Sequence, residues 1–152
     1  MRIKRFVLFA LIVVVVFVVS LVGIRIVSPS WDQRLPDPSM VKSLNAELSF
    51  DAPKNLPAVP VFQVPVEDIP VVLRAIGKGR RDFFPAKWHV LGDLTITTTD
   101  GRKIEVHLFS TGAESGAFAV GPWGRQIYYL GGNSAEVEDT IRSAYSKVKE
   151  KK

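Results

Sequence analysis

The chain has 152 residues and no cysteine, which excludes disulfides, thiolate metal sites and cysteine nucleophiles. Its formal net charge is +5. Four of its 20 basic residues lie near the N-terminal end, namely Arg2, Lys4, Arg5 and Arg25. The rest of the chain has 16 basic and 15 acidic residues. This near balance removes the electrostatic case for a nucleic-acid partner.

The most distinctive feature is an apolar run near the N-terminus. Residues 1–5 form a basic head, and residues 6–24 then continue for 19 positions without a charge, 16 of them Phe, Val, Leu or Ile. A helix of this length extends about 28 Å, close to the ~30 Å hydrocarbon core of a bilayer. Because a lone strand would leave its backbone groups unpaired in lipid, the run predicts one transmembrane helix over residues 6–25, ending at Arg25.

A cleaved secretory signal is the alternative to an anchor. Such signals have an apolar region of about 7–15 residues followed by a small-residue cleavage site. Here the run is longer, and the one acceptable site, with Val18 and Ser20 at the small positions, lies inside it. The pattern therefore favours a membrane anchor over a secreted protein. The three cations in the basic head favour a cytoplasmic N-terminus and an extracytoplasmic C-terminal domain.

Proline and glycine divide the rest of the chain. Nine of the ten prolines lie from Pro29 to Pro85, whereas ten of the eleven glycines lie at or after Gly77. Because proline stiffens the backbone and removes a hydrogen-bond donor, residues 26–60 are predicted to be a proline-rich, semi-rigid tether. Asp37, followed by a proline, predicts a short helix within this tether.

Residues 61–150 predict a small α+β domain of element order β-α-β-β-β-β-α. Its sheet is expected to be mostly antiparallel, with both helices on one face. The expected strands are 61–66, 88–98, 102–109, 116–120 and 125–130. The expected helices are 68–76 and 134–149. Asp68 and Gly77 are expected to cap the two ends of the first helix, and Asn133 or Ser134 the start of the second.

Alternating apolar residues around Asp100 and Gly101 predict a β-hairpin. A two-residue turn would place the two apolar sets on opposite faces. A three-residue loop over 99–101, with Gly101 in a left-handed conformation, instead sets Ile96 opposite Ile104 on one apolar face. Because one face of the hairpin must be buried, the pattern selects the three-residue loop.

The same register places His107 opposite Asp93, and His89 opposite Thr111, on the other and solvated face. A histidine beside a carboxylate resembles part of a catalytic triad, but Ser110 points to the opposite face, which favours an ordinary cross-strand pair. The two histidines are too far apart along the ladder for a metal site. With no nucleotide, metalloprotease or serine-hydrolase motif in the sequence, we predict no catalytic, cofactor or metal site and no enzymatic activity.

Two groups of residues are candidates for interaction. The first is a patch of Leu91 directly opposite Phe109, with His89 nearby, which would bind a protein partner or a second copy if no other segment covers it. The second group is basic and follows the first predicted helix.

Lys78, Arg80 and Arg81 lie just beyond the C-terminal end of the predicted helix 68–76. Such cations are stabilised by the helix dipole and are commonly solvated. In a membrane-anchored chain they are also candidates for contacts with anionic lipid headgroups.

The function expected from the sequence is that of a single-pass membrane-anchored, non-enzymatic domain. It would be an extracytoplasmic interaction domain or an envelope-associated domain. The alternative is a small-ligand or lipid-binding module that uses a cleft between the sheet and the C-terminal helix. A filled core would favour a protein partner, whereas a pocket with convergent polar groups would favour a ligand.

Overall fold

The computed structural model describes the backbone of residues 32–33 and all atoms of residues 35–49, 56–82, 88–112 and 115–151. The predicted basic head and transmembrane helix lie outside these ranges. Among the helices of the described ranges, none has the length and apolar character needed to cross a bilayer.

The described strands form one antiparallel sheet in the order β1-β4-β8-β7-β6-β5-β2-β3. Seven of them have four or more residues, and β1 has two. Their bounds are β1 (Asp32–Gln33), β2 (Val41–Leu48), β3 (Val59–Gln63), β4 (Gly79–Asp82), β5 (His89–Thr98), β6 (Lys103–Ser110), β7 (Ser115–Val120) and β8 (Ile127–Asn133). The predicted α+β class with an antiparallel sheet is therefore confirmed.

Two helices, α1 (Ile69–Ile76) and α2 (Ser134–Glu150), pack on one face of the sheet, and short 3-10 turns lie at Pro38–Met40 and Val66–Asp68. Helix α1 ends where predicted, at Gly77 with a φ of 70°, which a residue with a Cβ rarely adopts. Helix α2 is capped by Asn133, whose side chain accepts from the backbone N–H groups of Ala135 at 3.0 Å and Glu136 at 3.1 Å. The predicted positions of both helices are thus confirmed.

Asp68 does not cap α1 as predicted. Its side chain makes no capping hydrogen bond, and its Oδ1 lies 2.6 Å from Nζ of Lys147 on α2 instead. This ion pair joins the start of one helix to the last turns of the other. The carboxylate has a cationic partner that the sequence around Asp68 cannot reveal.

The predicted tether over 26–60 is wrong for the part that the structure describes, because it contains β2. Leu44, Ala46 and Leu48 are at most 2% exposed and pack in the core. After Asp37, the predicted helix is limited to the Pro38–Met40 turn. The spacing from Leu44 to Leu48 fits a helix as well as a strand, but β5 offers an open edge on which only a strand can pair.

Strand β4 also has no counterpart in the sequence prediction. It pairs with β8 on one side and with β1 on the other. At Gly79 an added Cβ would lie 2.5 Å from the Cβ of Tyr129 on β8. Strand β4 can approach β8 this closely because Gly79 has no side chain. Its sequence, GRRD, lacks the apolar alternation that marks a strand.

The β5–β6 hairpin has the predicted three-residue loop. Ile96 lies opposite Ile104. Gly101 has a φ of 85° and donates its N–H to the carbonyl of Thr98 at 2.9 Å. Beside it, the Thr98 hydroxyl and then Arg102 lower the pKa of the Asp100 carboxyl.

Gly101→Ala is expected to lower the free energy of unfolding by about 1 kcal/mol, because alanine is disfavoured at positive φ. An added Cβ would meet nothing within 4 Å, so the cost comes from the backbone conformation alone. Urea unfolding measures the free energy of unfolding of this variant and of the control Thr99→Ala, a substitution at an exposed position of the same loop. Equal stability of the two variants would contradict the left-handed assignment.

The hairpin register changes near its open end. The pairs run regularly from Thr97 to Gly92, which lies opposite Leu108, but Val90 then lies opposite Phe109. Leu91 is therefore the extra residue of a β-bulge. The predicted pairs Leu91–Phe109 and His89–Thr111 are wrong for this reason, and His89 lies opposite Ser110.

Candidate interaction surface

The sheet face opposite the helices, here called the outer face, carries a second apolar cluster. Phe109, Ala117 and Ala119 are buried there, and the partly buried residues packed against them are Trp88, Val90, Tyr128 and Leu130. This face was predicted to be polar near the hairpin turn, with Leu91 and Phe109 as an apolar pair at the open end. The β-bulge accounts for part of the difference, because it moves Trp88 and Val90 to the outer face.

Three aromatic rings form the centre of this cluster. The ring centroid of Trp88 lies 5.6 Å from those of both Phe109 and Tyr128. The Phe109 and Tyr128 centroids are 6.1 Å apart. The rings are tilted or edge-on, the arrangements that aromatic quadrupoles favour, so the cluster is a rigid apolar surface.

The turn between β7 and β8 presents a further aromatic residue. Trp123 is 55% exposed and lies between Gly121, with a φ of 113°, and Gly124, with a φ of 86°. These left-handed conformations favour glycine and bend the turn over the sheet. The ring centroid of Trp123 consequently lies 4.1 Å from that of His107 and 6.3 Å from that of Phe109.

His107 is 3% exposed and is bonded at both ends of its ring. Its Nδ1 lies 2.5 Å from Oδ1 of Asp93, and its Nε2 lies 3.0 Å from the carbonyl oxygen of Gly121. Both neighbours offer oxygen atoms to the ring, so each imidazole nitrogen has a hydrogen-bond partner. The predicted pairing with Asp93 is confirmed, but its solvated setting is wrong because the β7–β8 turn covers the ring.

The Asp93–His107 pair has no hydroxyl nucleophile among its described neighbours. Ser110 faces the helices, where its Oγ lies 3.4 Å from that of Ser134. The hydroxyl of Thr111 donates to the carbonyl of Ser115 at 3.2 Å. Within the described ranges, no three His, Cys, Asp or Glu side chains are grouped as a metal site requires. The contact of the His107 ring with the carbonyl oxygen of Gly121 ties β6 to the turn that carries Trp123.

The residues of the predicted patch do not form one exposed surface. Leu91 is buried in the core between the sheet and the helices, whereas Phe109 is buried in the outer-face cluster. His89 is exposed. Phe109 is thus covered by its aromatic neighbours, and the exposed residue of this surface is Trp123.

Of the predicted headgroup contacts, Lys78 and Arg80 are exposed. Arg81 is half-buried and lies opposite Tyr129. Burial raises the pKa of the Tyr129 hydroxyl, and the positive charge of Arg81 acts in the opposite direction with a smaller effect. Two of the three cations are therefore placed to meet an external anion.

The space between the sheet and α2 is filled from Val137 to Ala144. The cavity there, beside Leu108 and Val137, has a volume of about 10 Å³, room for about one water molecule. Two more open grooves of the described ranges lie outside the core. One of about 280 Å³ lies between residues 35–38 and α1, and one of about 370 Å³ lies between residues 63–66 and the C-terminal end of α2 at Val148.

Periodicity in the sequence does not indicate that Trp88, Tyr128 and Trp123 belong to one surface. One signal was present: Leu91 is followed by Gly92 inside a strand pattern, and such a glycine often marks a bulge. A bulge there reverses the side on which Trp88 lies. The position of Trp123 depends on how the β7–β8 turn bends, and neither periodicity nor motif encodes this.

We compared the chain with protein-family models, with curated proteins and with solved structures, and none of the three comparisons returned a match.

Proposed function

We propose that the chain is a single-pass membrane-anchored, non-enzymatic domain that binds a protein partner through its outer face around Trp123. The uncharged run over residues 6–24 supports the anchor, and the basic head supports a cytoplasmic N-terminus with the domain outside.

The observation that carries the proposal is the presentation of Trp123. A tryptophan that is 55% exposed beside a larger aromatic cluster offers much apolar area to a partner. Tryptophan is enriched among the residues that dominate interface energies. Its turn is held by the buried His107, so little conformational entropy is lost when a partner binds.

The filled space between the sheet and α2 supports a surface-binding role over a ligand-binding one. A drug-sized ligand needs a pocket of about 300–1,000 Å³ that encloses most of its surface. The cavity of about 10 Å³ beneath α2 is far too small, and the grooves of about 280 Å³ and 370 Å³ are open to solvent, so neither encloses a ligand. A protein partner needs only an accessible surface with a rigid apolar centre.

Trp123→Ala is expected to lower partner binding at least tenfold while the domain stays folded, because tryptophan hot spots contribute about 2 kcal/mol or more. A photoreactive amino acid at Arg125, an exposed position of the same turn, reports binding in membranes of the producing organism. The matched control is Val66→Ala, which removes another exposed apolar side chain, 70% exposed, outside this surface.

A crosslinked adduct that disappears with Trp123→Ala and persists with Val66→Ala is the expected result. An adduct of twice the chain mass would identify the partner as a second copy. If no adduct forms, or if it forms equally in the Trp123 variant, this surface is not the binding site.

A further inference from the structure

The structure shortens the predicted link between membrane and domain. The sequence assigned residues 26–60 to a tether, but the sheet already includes Asp32. Residues 26–31 alone then separate Asp32 from Arg25, the end of the predicted span, and seven fully extended residue steps reach at most about 25 Å. Counted instead to Leu35, which packs against the core, the limit is about 36 Å.

The chain enters the sheet beside a group of cations. Strand β1 pairs with β4, with Asp32 opposite Arg80. Arg80, Lys78 just before β4, and Arg74 in the last turn of α1 are all exposed, and together they are here called the basic edge. Arg74 and Lys78 also line the groove of about 280 Å³ beside Leu35–Pro38.

We infer that the basic edge contacts the anionic phosphates of lipid headgroups in the membrane that anchors the chain. This inference rests on the proposed anchor. Salt screens exposed charges over about 8 Å, so such contacts need a domain held near the bilayer, and the short linker provides this. Each cation near an anionic surface increases binding on the order of fivefold.

The acidic residues nearby leave the basic edge net positive. Asp37 lines the same groove, and its Oδ1 accepts hydrogen bonds from the N–H and the hydroxyl of Ser39 at 2.9 and 2.6 Å. Asp82, at the far end of β4, is half-buried and has a partner of its own. Counted together, the carboxylates are three and the cations, including the half-buried Arg81, are four, which leaves a formal charge of +1; the carboxylates are Asp32, Asp37 and Asp82, and the cations are Arg74, Lys78, Arg80 and Arg81.

Two matched probes test this inference in the full chain. The chain has no cysteine, so Val71→Cys and Val61→Cys each provide a single site for an environment-sensitive fluorophore. Val71 lies one turn before Arg74 and is 46% exposed; Val61 lies on β3, at the opposite end of the sheet, and is 66% exposed. The labelled chains are placed in liposomes of phosphatidylcholine with or without phosphatidylglycerol, and quenching by headgroup spin labels is measured.

With phosphatidylglycerol, the probe at Val71 should be quenched several-fold more than the probe at Val61. The combined change Arg74→Glu, Lys78→Glu and Arg80→Glu, or 1 M salt, should remove the difference, whereas Lys103→Glu on β6 should not. Circular dichroism checks that the triple variant is folded, and the salt series gives the same test without any substitution.

Equal quenching of both probes, or a difference that survives charge reversal and salt, would overturn the inference. So would loss of the difference in inorganic phosphate but not in chloride of equal ionic strength, because the site would then bind free phosphate. Alkaline carbonate extraction of the same liposomes distinguishes failure of the basic-edge inference from failure of the anchor. A chain that stays in the pellet and shows equal quenching contradicts the basic-edge inference alone. A chain that is released contradicts the proposed anchoring.

Discussion

Replacing Gly92 by alanine is expected to lower the free energy of unfolding by on the order of 3 kcal/mol or more, enough to unfold a domain of ordinary stability. An alanine Cβ would lie 2.1 Å from the carbonyl oxygen of Glu47 and 2.9 Å from the Cα of Leu48. Both atoms belong to the backbone of β2 and cannot move aside as a side chain would. The variant must therefore separate β2 from β5, which removes two strands, β2 and β3, from the sheet.

Urea unfolding of the full chain in detergent, followed by tryptophan fluorescence, measures this loss. Gly101→Ala is the matched control, because its Cβ meets no atom within 4 Å and its cost is limited to the backbone conformation. We expect the Gly92 variant to be several times more damaging. If both variants lose the same stability, the close approach of β2 to Gly92 is wrong.

The parts of the fold that the sequence predicts are those with local signals. Helix α2 has a capping Asn133 and an apolar stripe, α1 ends at Gly77, and the β5–β6 hairpin has its loop glycine. Each of these features depends on residues a few positions apart. The central strands β5 to β8 follow one another in both the sequence and the sheet, so their order is also predictable.

The parts that the sequence does not predict depend on contacts between distant residues. Strand β2 joins the sheet at β5, and β4 joins it at β8. Both junctions involve a close approach at a glycine, Gly92 in the first and Gly131 in the second, where an added Cβ would lie 2.1 Å from a backbone oxygen of the joining segment. An isolated glycine in a strand indicates such an approach but does not say which segment makes it.

The outer face was mispredicted because one residue changes the side on which several others lie. Strand side chains alternate with a period of two, so the extra residue at Leu91 reverses Trp88 and Val90 relative to the rest of β5. The pairing of Asp93 with His107 lies on the regular side of the bulge and was predicted correctly. Burial of His107 depends on Trp123, which is contributed by a turn elsewhere in the chain.

Leu44→Ala is expected to lower the free energy of unfolding by about 2–5 kcal/mol, the range measured when buried leucines are truncated in protein cores. Leu44 is 0% exposed and lies opposite Ile96, although its segment has the proline-rich flanks of a tether. The control is Asn45→Ala, at the next and exposed position, which should change stability by less than about 0.5 kcal/mol. In a tether both variants would be neutral, since neither side chain would be buried on folding. The same urea series therefore decides whether residues 41–48 belong to the domain. If the Leu44 variant is as stable as the Asn45 variant, this segment belongs to the tether. The link to the membrane would then be longer than the basic-edge inference requires.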